Sequence, residues 1–164
     1  MSPDLQPTAA IYNLLDYDAR RCTSAEMQLK KVLPDWISRA GSLELKTALE
    51  KYLAFTDEHI QKMDSFIKTN KKTLPTLSNR VMQSFIQEAK EKLKSRSDAM
   101  FKDACLIDCV LEITRFKINT YGTAAAFAKA VELKQPANVF HEAEVQEQLM
   151  NKRFADLVIE DNFA

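Results

Sequence analysis

Glu26, His59 and Glu147 are carboxylate and imidazole side chains standing where the helical spacing around them asks for apolar residues. Donors of that kind, turned into a common core, suit a divalent metal ion. Thr56 precedes His59 by one helical turn and Thr114 precedes Lys117 by one turn, so each pair shares a helix face. An unpaired buried polar group costs about 1–3 kcal/mol, and an unpaired charge costs more. Glu26, Thr56, His59, Thr114, Lys117 and Glu147 must therefore satisfy one another or hold something between them.

The elements that would position them are long helices. Two glycines and five prolines in 164 residues, with 28% charged and 46% apolar residues, favour helices over a turn-rich β fold. Leu15, Ala19, Cys22, Leu29, Leu33, Trp36 and Ala40 keep a seven-residue repeat in which Glu26 fills the missing place, and this predicts a helix over about 9–40. Gly41 is expected to end it in the left-handed conformation and Ser42 to cap the next helix, over about 43–69, with Leu45, Leu49, Tyr52, Met63 and Phe66 inward. After a basic loop, a likewise amphipathic segment over about 78–94, capped at Ser78, reads as a crossover helix.

A central helix over about 98–133 starts at an Asp98 cap. Its expected apolar stripe is Ala104, Ile107, Leu111, Ile118, Tyr121, Ala125 and Ala128, with Thr114 inside it and Lys117 beside it. Gly122, inside that helix, costs about 1 kcal/mol relative to alanine, and close approach of a neighbouring backbone is the expected reason. KQPAN then reads as a turn. The last helix, over about 137–159, turns Phe140, Ala143, Met150, Phe154 and Leu157 inward, with Glu147 in the gap. The whole chain is expected to be one domain, with residues 1–8 flexible.

Several function classes lack their residues. No glycine-rich phosphate loop, nucleophile elbow, His-Glu-x-x-His or Cys-x-x-Cys occurs. Basic and acidic residues balance at 23 each, which argues against a nucleic-acid partner. No apolar run of transmembrane length and no basic-then-apolar leader occurs, so no membrane partner and a cytoplasmic location are expected. Cys22, Cys105 and Cys109 are expected to serve as small apolar core residues.

One polar interruption near the middle of each long helix is the layout of a ferritin-like bundle, where two helices give a Glu each and two others a Glu-x-x-His pair. At SAEMQLKKVLP, LELKTALEKYL, TDEHIQKMD and INTYGTAAAFAKA the chain resembles the bacterial ferritin-like proteins of the YciE/YciF type. The resemblance implies an all-α four-helix bundle of two antiparallel hairpins, running up-down-down-up, with an extra short crossover helix. It also implies a homodimer, a link to stress and, where the ligands are kept, a dinuclear metal centre.

Here the family's Glu-His-Tyr-Glu places hold Thr114, Arg115, Phe116 and Lys117, a family glutamate falls on Phe55, and an aspartate place holds Asn151. Glu26 and Glu147 carry over by motif and His59 by helix position. Two readings follow. In one, no cofactor is bound and no enzyme activity remains, because the Lys117 ammonium, with His59 and Thr114 as hydrogen-bond partners, replaces the metal charge between the carboxylates. In the other, Glu26, His59 and Glu147 bind iron, manganese or zinc and support weak oxidase or peroxide-scavenging chemistry. Lys117 can instead pack its stem and send its head to solvent. Val81, Met82, Phe85 and Ile86 offer an apolar patch for a dimer, and Met63 and Met150 would flank any small-molecule pocket at the centre.

Overall fold

The computed structural model describes residues 5–69 and 77–160, with side chains from 9 to 65 and from 77 to 160. Among these residues five helices follow one another: α1 (Leu5–Arg39), α2 (Leu43–Thr69), α3 (Arg80–Ser95), α4 (Ala99–Ala130) and α5 (Lys134–Glu160). Helix α1 starts before the expected residue 9, and residues 1–4 of the segment expected to be flexible lie outside the described residues. Every inward residue expected on α1, α2 and α5 is at most 4% exposed, except Phe66, whose side chain also lies outside them.

Cross-links between helices set their directions. Glu26 on α1 meets Lys117 and Tyr121 on α4, while Gly41 at the end of α1 meets Asp103 near the start of α4. These helices therefore run antiparallel, as do α2 and α5, where Tyr52 meets Glu147 and Lys62 meets Glu142. With the α1–α2 and α4–α5 hairpins this gives the up-down-down-up order. Helix α3 lies across α1 and α4: Asn79 donates to the Arg21 carbonyl and Phe85 packs edge-on against Phe116 at 5.8 Å.

The ends of the helices depart from the expected details in instructive ways. Ser42 caps α2 and Asp98 caps α4, but Asn79 rather than Ser78 caps α3, through Met82 N at 3.0 Å. Gly41 is not left-handed, since neither glycine has a positive φ. The buried Asp103 carboxylate takes the Gly41 and Ser42 amides at 2.7 and 2.9 Å, and a Cβ on Gly41 would stand 3.2 Å from that carboxylate. A side chain on residue 41 would therefore crowd the carboxylate that ties the α1–α2 corner to α4.

Helix α4 stops at Ala130 rather than near 133, because Leu133 N bonds to Ala128 O at 2.8 Å and Glu132 N to Lys129 O at 3.1 Å. That closing pattern places Glu132 at φ 60°, the left-handed position usually given to glycine. Most of KQPAN is then the first turn of α5, where Pro136 needs no intrahelical partner for its missing N–H. Gly122 faces the Glu144 side chain, not a backbone: an added Cβ would lie 2.7 Å from Glu144 Oε1.

The buried face of α4 is rotated from the expected stripe. Leu106, Val110, Ile113, Thr114, Lys117, Tyr121, Ala124 and Ala128 are fully enclosed, whereas Ala104, Leu111, Ile118 and Ala125 are only half-buried. Contact with α1, α3 and α5 together covers more of α4 than a single stripe. Lys117 consequently lies in the middle of that face, not beside it.

Candidate functional site

Each of the four long helices delivers polar groups to one point midway along the bundle. Helix α1 supplies Glu26, α2 supplies Tyr52 and His59, α4 supplies Lys117 and Tyr121, and α5 supplies Glu147. None of these six is more than 2% exposed. Their centre is the Lys117 ammonium, 2.6 Å from Glu26 Oε1 and in contact with Glu147 Oε1. The lysine points into the core and does not reach solvent.

The tyrosines complete the arrangement. Tyr121 donates its hydroxyl to Glu26 Oε1 and Tyr52 donates to Glu147 Oε2, both at 2.8 Å. Lys117 also donates to the Tyr52 hydroxyl at 3.3 Å, with its Nζ 4.7 Å from that ring's centroid. Both phenols are pushed well above their ordinary range, first by burial and then by the carboxylates beside them, so they stay protonated donors.

His59 is oriented from the surface. Its Nε2 lies 2.7 Å from Gln146 Oε1, and Gln146 donates its amide to Glu58 Oε2 at 3.4 Å. An amide oxygen only accepts, so Nε2 carries hydrogen. The other ring nitrogen, Nδ1, then faces Glu26 Oε2 at 3.6 Å and Glu147 Oε1 at 3.7 Å. Neither distance is a hydrogen bond. Among the described residues Glu26 Oε2 and His59 Nδ1 thus have no hydrogen-bond partner, and Glu147 Oε1 is in contact with the ammonium.

The electrostatics follow from burial and neighbours. Burial would lower the Lys117 ammonium, but Glu147 and Glu26 outweigh it and hold the pKa above its ordinary value. Burial would raise Glu26, yet Lys117 and His59 hold it below the ordinary carboxylate value. Glu147 stays raised, because burial and the like charge of Glu26 exceed what Lys117 returns. Negative charge is therefore held most firmly on Glu26.

Thr56 and Thr114 are buried in the same layer but spend their protons on their own helices, on Tyr52 O and Leu111 O. Thr114 also accepts from Asn151 at 2.8 Å. The expected Thr114–Lys117 bond is thus replaced by one between α4 and α5. Tyr52 and Tyr121, which sequence spacing marks only as apolar stripe residues, do the work expected of the threonines. Their hydroxyls beside a line of inward carboxylates were the available signal.

A family metal pair can be tested against this donor set. Such a pair takes roughly four Glu and two His ligands, whereas two carboxylates and one imidazole converge here with an ammonium already between the carboxylates. These residues do not fit a metal pair. The cavity beside Glu26 and Lys117 measures about 10 Å³, room for at most one water.

Residues 13–161 match the family described as a domain of unknown function, DUF892. The chain belongs to this family. It is 25% identical over 137 residues to Protein YciF of Escherichia coli (strain K12), covering 83% of this chain and 82% of that protein. Its fold superposes on YcfI from Rhodopseudomonas palustris with a TM-score of 0.84 at 23% identity, over 94% of this chain and 97% of the other. The E. coli stress protein YciF superposes with a TM-score of 0.83 at 24% identity, over 91% and 94%. The all-α bundle is thus shared with proteins whose sequences have diverged widely from this one. Among the described residues, no helix is long and apolar enough to cross a membrane.

Proposed function

We propose that this protein is a non-enzymatic, stress-associated bundle of the cytoplasm, whose ancestral two-metal centre has become a structural ion cluster. The observation that carries this reading is the Lys117 ammonium held between Glu26 and Glu147 at the point where the four long helices converge. A charge fixed there does the neutralising work that a metal would do, and it is supplied by the chain itself. The stress association is taken from the E. coli stress protein YciF, to which this chain is similar over most of its length.

Action as a homodimer belongs to the same proposal, with a surface that extends beyond the patch expected on α3. Met82 is buried, and Phe85 and Ile86 are half-buried against the bundle, which leaves Val81 at 38% exposure. The partner surface would have to include other residues, and light scattering on the purified chain tests the dimer.

Metal content tests the central reading. Protein purified without chelator and then offered ferrous iron is expected to retain no metal above background. Near-stoichiometric iron that disappears in a Glu26→Ala, Glu147→Ala double variant would overturn it. That result would favour a second reading, a single metal ion at Glu26, His59 and Glu147, which is motivated by ligand atoms of these three lying within 4.8 Å of one another.

A further inference from the structure

Glu26 Oε2, His59 Nδ1 and Glu147 Oε1 converge without hydrogen bonds among themselves, and Lys117 reaches both carboxylates from α4. From this geometry we infer that Lys117 is an exclusion residue: its ammonium alone keeps divalent cations out of an otherwise formed three-ligand seat. The inference rests on the proposed metal-free centre and adds what enforces it.

Three features make the seat a formed one. Its donors come from α1, α2 and α5, so none of the three lies on the helix that carries the lysine and removing the lysine side chain leaves all three in place. Tyr121 holds Glu26 by its other oxygen, and Tyr52 likewise holds Glu147. Gln146, by accepting from Nε2, turns Nδ1 toward both carboxylates, the outer-sphere partner that a metal-ligating histidine ordinarily has. Hard carboxylate oxygens with one imidazole are acceptable donors for zinc, cobalt or iron.

The obstacle is charge. A dication entering beside the ammonium would meet a full positive charge in an interior of low effective dielectric, where such repulsion is strong. It would also compete for Glu147 Oε1, which Lys117 already holds. Replacing the lysine with methionine keeps an unbranched side chain of similar length and removes the charge. The carboxylates then repel each other and attract a cation.

The test offers Co²⁺ to the wild type, Lys117→Met and Lys117→Met/Glu26→Gln. Visible absorption, bound cobalt and melting temperature are followed as the ion is titrated. The inference expects Lys117→Met to take up near-stoichiometric cobalt, show ligand-field bands and melt at temperatures that rise with cobalt concentration. Wild type should do none of this, and the added Glu26→Gln change should weaken uptake at least tenfold. If Lys117→Met is unfolded without metal, refolding with cobalt should recover a helical, cobalt-loaded chain. A folded Lys117→Met that binds no cobalt, or an unfolded one that cobalt does not rescue, would overturn the inference and leave the proposed function standing. Cobalt or iron bound stoichiometrically by wild type at these residues would overturn that function itself.

Discussion

The Lys117 Nζ and Glu26 Oε1 atoms lie 2.6 Å apart, on helices that run antiparallel, and neither residue is more than 2% exposed. Such a pair has lost its water on both sides, so its value to the fold lies in mutual satisfaction. Removing one member leaves the other charged and unpaired.

Lys117→Met is therefore expected to lower the stability of the cobalt-free protein by about 3–5 kcal/mol, the cost of breaking a buried pair. Guanidinium unfolding followed by circular dichroism measures it. A loss below about 1 kcal/mol would mean that Glu26 and Glu147 find other means of neutralisation.

The pH dependence of the lysine and its two carboxylates follows from three shifts. Lys117 is raised above 10.5, so its contribution is complete below that value and is lost as pH climbs through the folded-state pKa. Glu26 is lowered below 4.5, so its contribution is complete above that value and fades as pH falls through the lower folded-state pKa. Glu147 is raised above 4.5, so it adds stability below that value and loses it as pH rises through its folded-state pKa. Acid loss from Glu26 is thus partly offset by Glu147. Stability curves from pH 3 to 11 are expected to fall at the alkaline end in wild type, and the part of that fall due to Lys117 should vanish in Lys117→Met.

Tyr121→Phe and Tyr52→Phe each remove a hydrogen bond to a buried carboxylate without changing the ring. Each is expected to cost about 1.5–3 kcal/mol, the range for hydrogen bonds to charged groups. Combining either with Lys117→Met should give non-additive losses, since all act on the same two carboxylates. Strict additivity in a double-mutant cycle would argue that the tyrosines and lysine act independently.

Glu132 occupies a left-handed position at φ 60° after α4. A side chain there costs about 1–2 kcal/mol, part of which glycine returns through its freer unfolded state. Glu132→Gly should thus raise stability by about 0.5–1 kcal/mol, with a matching rise in melting temperature. A loss would show that the Glu132 side chain makes contacts that outweigh its backbone strain.

Much of this architecture was legible from spacing alone. The heptad run from Leu15 to Ala40 and the inward sets on α2 and α5 are amphipathic surfaces whose burial any bundle requires, so periodicity located them. The same periodicity marked Glu26, His59 and Glu147 as interruptions and joined them with Lys117 as one candidate cluster. It misplaced the buried face of α4, because that helix is covered by α1, α3 and α5, and a face buried on several sides has no single stripe.

What the chain order by itself determined is which helices form, where Ser42 and Asp98 start them, and that charged groups must meet in the core. Packing decided who satisfies whom. Tyr121 and Glu26 are 95 positions apart, as are Tyr52 and Glu147, so nothing local distinguishes these phenols from ordinary apolar aromatics. Gly41 likewise is not left-handed, and its amide is satisfied by Asp103 reaching it from α4. Hydrogen-bond geometry between distant helices depends on tenths of an ångström, and only the assembled bundle fixes distances that finely.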